Sequence, residues 1–170
     1  MSRFVLDAMV WLNFAHAESV DVLGRGLSGR LVVGMIVKER EVKTWPRHTA
    51  RAGEPFSFDD LVAQGRVECV EMTSEELGRF GLLKSERGVQ RLGAGETEAY
   101  ILATSRRWTL CTDDGAARKI FSCFPDAPPL SGTMALLHTL VAEGAVNREV
   151  ASELHRLMRE RGGRLPDEEF

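Results

Sequence analysis

Residues 91–114, RLGAGETEAYILATSRRWTLCTDD, decide the fold. Gly93 and Gly95 mark a loop, because glycine carries the backbone through conformations that interrupt regular structure. A helix opens on Gly95-Glu96 and covers 96–105, with an acid in the first turn where the helix dipole favours it. The apolar run 108–111 reads as a short buried strand, and it leads straight into Thr112-Asp113-Asp114. Acids therefore stand at both ends of a helix–strand unit, where backbone breaks bring side chains to a rim.

Outward from this stretch the same alternation repeats. Strand patterns fall near 3–6, 30–34, 66–71, 108–112 and 128–131. Between them lie helical patterns. The first covers 8–26 in two pieces, with Met9, Leu12, Phe14, Val20 and Leu23 on its apolar face and Gly24-Arg25-Gly26 as its stop. Others cover 35–45 before Pro46, 56–65 capped by Ser57, and 73–84 capped by Thr73 or Ser74. The last are 115–121, 134–144 closed by Gly144, and a long helix capped by Asn147. Strands alternating with helices predict an α/β protein, a three-layer α/β/α sandwich around a mostly parallel central sheet. Residues 24–29, GRGLSG, match the dinucleotide spacing formally. That fingerprint must follow a strand and open a helix, whereas this one follows a helix and precedes a strand. No repeat and no low-complexity linker divides the chain, so one domain over 1–170 is expected, with a polar C-terminal tail.

At 170 residues, with 44% hydrophobic and 28% charged residues, the chain can bury a substantial core. A net charge of −3 lacks the basic footprint usual for nucleic-acid binding. A metal ion among carboxylates would supply local positive charge instead. The three cysteines, Cys69, Cys111 and Cys123, form no CxxC pair, which points to a reducing compartment, the cytoplasm. No apolar run approaches the ~18 residues a membrane span needs. The basic loop 47–56 reads as solvated, with phosphate contact as its second reading.

In a parallel sheet, ligands bind beyond the carboxyl ends of the strands, where the strand order reverses. Asp7 follows the first strand, and Asp113 and Asp114 follow the fourth. Glu96 opens the preceding helix, and Glu39 or Glu41 lies on the helix after the second strand. Each has a bland reading as a helix cap or turn residue. Carboxylates gathered together repel unless a cation neutralises them, and oxygen donors suit magnesium or manganese. His16, His48, His138 and His155 are scattered singly, without zinc spacing. Glu39 and Glu41 cannot share a helix face, so at most one points inward.

The segments LDAMVWLNFA, LGAGETEAYILA, LCTDDGAARKI and LSGTMALLHTLVAEG resemble successive motifs of the PIN-domain family, closest to the small prokaryotic branch related to VapC-type toxins. The resemblance runs from Phe4 to about residue 165. It implies a magnesium- or manganese-dependent ribonuclease acting on RNA, an antitoxin protein as partner, and a homodimer as a further expectation. By position, it makes Asp7, Glu41, Glu96 and Asp113 the catalytic acids, with Glu39 as the alternative register to Glu41. Asp7, Glu96, Asp113 and Asp114 become the metal ligands. Glu98, a neighbour of Glu96, stays open as the third acid, and Glu98, Arg118 and Thr133 are otherwise assigned supporting or substrate-facing roles. Two departures stand out: the segment 43–72 is longer than in the smallest members, and RVECVEM within it reads as an inserted strand. Tyr100 is expected to pack rather than to stack on a base.

Two other classes remain. A phospho-receiver needs a lysine at the last strand end, which LSGT lacks, and an aspartate-nucleophile phosphatase needs DxD where the chain has Asp7-Ala8-Met9. A catalytically silent PIN-like binding or regulatory module is the alternative that metal titration separates.

Overall fold

A computed structural model describes residues 2–42, 57–86, 89–163 and 165–167 of the chain. Five strands, β1 (Phe4–Leu6), β2 (Leu31–Gly34), β3 (Val67–Val70), β4 (Thr109–Cys111) and β5 (Leu130–Ser131), form one parallel sheet in the order β3-β2-β1-β4-β5. Phe4 lies opposite Leu31 on one side and Thr109 on the other, and Leu6 lies opposite Cys111. Every strand expected from the sequence is present, shorter at its ends. Residues 67–70, within the longer 43–72 segment, form the edge strand of the sheet, in register with β2 from Leu31–Val67 to Gly34–Val70.

The helices are α1 (Ala8–His16), α2 (Val20–Gly26), α3 (Phe58–Ala63), α4 (Ser74–Ser85), α5 (Ala94–Arg106), α6 (Gly115–Phe121), α7 (Thr133–Ala142) and α8 (Arg148–Glu160). Alternation along the strands sorts side chains to two faces. Leu6, Leu31, Val33, Val67 and Cys111 pack with α1, α2, α7 and α8. Val5, Val32, Val70 and Leu110 pack with α5 and α6. Both faces are covered, as a parallel sheet requires. On the first face Trp11 meets Phe58 edge-on, with ring centroids 5.1 Å apart. On the second Tyr100 stacks on Phe121 at 4.3 Å, so it packs as expected. Burying one such large side chain contributes roughly 1.5–3 kcal/mol. The 134–160 region is likewise committed inward, through Leu136, Leu137, Leu140, Leu154 and Met158.

Helix boundaries differ from expectation at α5 and α7, each for a local reason. Gly24-Arg25-Gly26 does close α2, which ends at Gly26. Gly26 is there for clearance, since a Cβ would collide with Leu140 of α7. The turn comes later, at Gly29, with φ +73°. Helix α5 begins at Ala94, because the Glu96 carboxylate turns back to accept the Gly93 N–H at 2.8 Å. Helix α7 ends at Ala142, two residues before Gly144, whose φ of +72° turns the chain away. The helix after β2 is π-helical over Val37–Val42. Residues 43–45 of the 35–45 pattern, Pro46 and the basic loop 47–56 lie outside the described residues. No helix among the described residues is long and apolar enough to cross a membrane.

Candidate active site

From the central pair β1 and β4 the chain builds outward in opposite directions, and crevices form at such a reversal. The Asp7 N–H donates to the Cys111 carbonyl at 3.0 Å, which locks the two strand ends together. Beyond them opens a cavity of about 460 Å³ lined by Asp7, Ala8, Met9, Leu12, Glu41, Gly93, Glu96 and Asp114. Four acids from four separate elements thus share one hollow.

Each of these acids also ties down a helix start. Asp7 Oδ1 accepts the Val10 N–H of α1 at 2.9 Å, and Asp114 Oδ1 accepts the Ala117 N–H of α6 at 2.7 Å. Glu41 Oε1 accepts the Gly95 N–H of α5 at 2.8 Å. Glu96 caps the same helix through Gly93. The bland reading of each acid as a cap is therefore met, but capping alone does not explain why four caps converge. Helix N-termini carry partial positive charge and favour anions, so the fold gathers dipoles where it gathers acids.

The electrostatics show what this costs. Burial pushes the Asp7 carboxyl up to about 7, helped by the charges of Asp113 and Glu96 and opposed by the Thr112 hydroxyl and the Val10 N–H. Its Oδ2 is buried without a hydrogen-bond donor in range. Burial also raises Glu96, with the charges of Asp114 and Glu41 acting in the same direction.

Asp113 lies off the cavity lining and is occupied elsewhere. Its Oδ1 accepts the Thr133 N–H at 2.9 Å, and its Oδ2 accepts from the Thr133 hydroxyl and from Asn13 Nδ2 at 2.8 Å. Asn13 also donates to Thr133 Oγ1 at 3.1 Å. Thr133 is fully buried and serves Asp113. Glu98 is buried too, and its Oε2 accepts the N–H groups of Ile36 at 2.8 Å and Val37 at 3.3 Å. Glu39 turns away from the cavity, 3.5 Å from Lys38, which also pairs with Asp59. Arg118 donates to the carbonyls of Thr112 at 2.9 Å and Ser131 at 2.6 Å, so it braces the ends of β4 and β5.

Asn13 and Thr112 are the participants that sequence reading passed over. Asn13 carried a signal, a polar side chain inside the apolar run Trp11-Leu12-Asn13-Phe14. Thr112 carried none beyond its place between strand and acids.

The donors fit a hard divalent cation chemically, since they are all carboxylates and one buried oxygen lacks a partner. Among the described residues no three His, Cys, Asp or Glu side chains already converge as a ready ligand set. The ion that suits such a hollow keeps several of its waters and takes few direct ligands. No curated protein and no solved structure matches the chain. A family model described as a PIN domain matches residues 3–170, and PIN domains are in general metal-dependent nucleases. The parallel sheet, the acids at its central crevice and this match together place the chain in the PIN-domain family.

Proposed function

We propose that the protein is a divalent-metal-dependent endoribonuclease that hydrolyses RNA phosphodiesters. The observation that carries this reading is the four-acid cavity with the unpartnered, buried Asp7 Oδ2 at its floor. Asp7, Glu41, Glu96 and Asp114 would hold magnesium or manganese. Asp113 stands behind them, bound to Asn13 and Thr133, as the nearest further acid. The ion supplies an activated water and neutralises charge on the phosphate. The chain's residues do the rest. The caps on α1, α5 and α6 fix the carboxylates before the substrate arrives, so little reorganisation is left for the reacting state. Met9 and Leu12 line the apolar side of the hollow and limit water there. Thr112 Oγ1 accepts the Asp114 N–H at 3.2 Å and so helps to place Asp114.

A toxin of the VapC-type branch, acting in the cytoplasm with an antitoxin partner and as a homodimer, is the finer form of this reading. It rests on the motif resemblance. The direct test is cleavage of a structured RNA with manganese, magnesium or chelator. Metal-dependent cutting that Asp7→Asn abolishes is expected; full cutting by a cleanly purified, metal-saturated Asp7→Asn protein overturns the assignment. A second reading, a silent PIN-like binding module, is favoured by one observation: no three donors among the described residues converge in advance. Manganese calorimetry separates the two, since a silent module gives no binding heat that Asp7→Asn removes.

A further inference from the structure

Glu98 lies outside the cavity lining, yet it is an acid buried to 99%. Its oxygen receives the N–H groups of Ile36 and Val37, which open the helix carrying Glu41. In return, Glu41 receives the Gly95 N–H, which opens the helix carrying Glu98. Two helices thus cap each other's first turn, each through one carboxylate. Two glycines make this possible. A Cβ on Gly34 would collide with the Glu98 carboxylate, and one on Gly95 would collide with the Glu41 carboxylate and stand 2.8 Å from Val37 Cγ2. Neither glycine has a positive φ, so backbone conformation does not demand glycine at either position. Clearance for the crossed carboxylates does. The segment between the two caps is the π-helix Val37–Val42, whose wide i→i+5 turns are rare and gather at functional sites.

We propose that Glu98 is a positioning residue: through the Ile36 and Val37 amides it holds the π-helical segment so that Glu41 faces the cavity. The proposal rests on the metal-binding reading for its consequence, but not for its geometry. Glu98 touches neither ion nor substrate; it acts through Glu41.

The test is a double-mutant cycle on the full chain, read by manganese calorimetry and by amide exchange. Glu98→Ala is expected to weaken manganese binding roughly 10-fold, the scale of losing a group that orients a ligand. Glu98→Gln keeps a carbonyl oxygen for both amides and is expected to recover most of that loss. Glu41→Ala with Glu98→Ala is expected to bind no more weakly than Glu41→Ala alone. A merely structural Glu98 would instead give losses that multiply, and that result overturns the proposal, as does unchanged binding in Glu98→Ala. Amide exchange separates the two ideas. If the parent chain shows no manganese binding that Asp7→Asn removes, the metal reading falls, and the clasp is then judged on exchange alone. Glu98→Ala must speed exchange at Gly95, on the far side of the clasp; an unchanged Gly95 rate overturns it. Should Glu98→Ala fail to fold, Gly34→Ala applies the same readouts by crowding the carboxylate.

Discussion

The two ends of α5 hold the same kinds of group under opposite electrostatics. At its C-terminal end Arg106 clasps Glu76 through two bonds of 2.9 Å and lies 5.2 Å from the centre of the Trp108 ring, with Arg3 at 4.6 Å. The Arg106 guanidinium holds Glu76 below the usual carboxylate range. At its N-terminal end Glu96, Glu98 and Glu41 take backbone N–H groups. There burial drives Glu98 up to about 7 and raises Glu96. One end is an ion pair that closes on itself, and the other keeps negative charge at a cost. A protein selected for stability alone would pair both ends. Under the proposed function, the acids at the N-terminal end are where a cation would bind.

The sharpest way to break this contrast is Asp7→Asn, at the floor of the charged end. Losing several kcal/mol of metal-supplied stabilisation corresponds to a fall of about 1000-fold in RNA cleavage, checked by initial rates in manganese. Retained cleavage would mean that the charged end has no catalytic meaning. Next comes Glu76→Ala at the paired end. It leaves Arg106 without its carboxylate and should cost about 1–3 kcal/mol, lowering Tm by roughly 2–4 °C per kcal/mol, with manganese affinity unchanged. If manganese affinity fell as well, the two ends would not be independent.

The third test is pH. Asp7 and Glu98 both have carboxyls raised to about 7, so between about pH 4 and 7 the folded chain binds more protons than the unfolded one. Stability of the metal-free protein should therefore fall as pH rises through this window and level off above it. Asp7→Asn should flatten part of the slope in denaturant titrations run at several pH values; a rising slope in the parent would contradict the burial argument. The smallest effect belongs to Glu39→Gln. With its carboxylate beside Lys38, it should change manganese affinity less than about 2-fold, whereas Glu41→Gln should weaken it clearly.

Much of the framework was readable because strand and helix periods differ, so β1 to β5 stood out from their apolar runs and bounding glycines. The acids were readable as a group, since each follows a strand end or opens a helix. Which oxygen faces the hollow was not. Asp113 and Asp114 are neighbours in sequence, and only the start of α7 at Thr133 decides that Asp113 is drawn behind while Asp114 caps α6. The choice between Glu39 and Glu41 depended on a π-helical turn, which has no periodic signature in so short a run. Gly95 read as loop punctuation and Gly34 as the end of a strand pattern, because the reason for each glycine is a carboxylate arriving from another part of the chain. Asn13 was legible only as a polar residue inside an apolar run; its partners Asp113 and Thr133 lie a hundred or more residues away.

The strand order has a consequence for synthesis. β1 is made first but sits between β2 and β4, and its second neighbour arrives only when residues 109–111 emerge. Contacts between segments so distant in sequence form late and slowly. The hollow needs Asp7 and Asp114 together, so a nascent chain carries Asp7 without a site around it. If the chain cuts RNA as proposed, its hollow would stay incomplete beside the encoding RNA until residue 114 has been made.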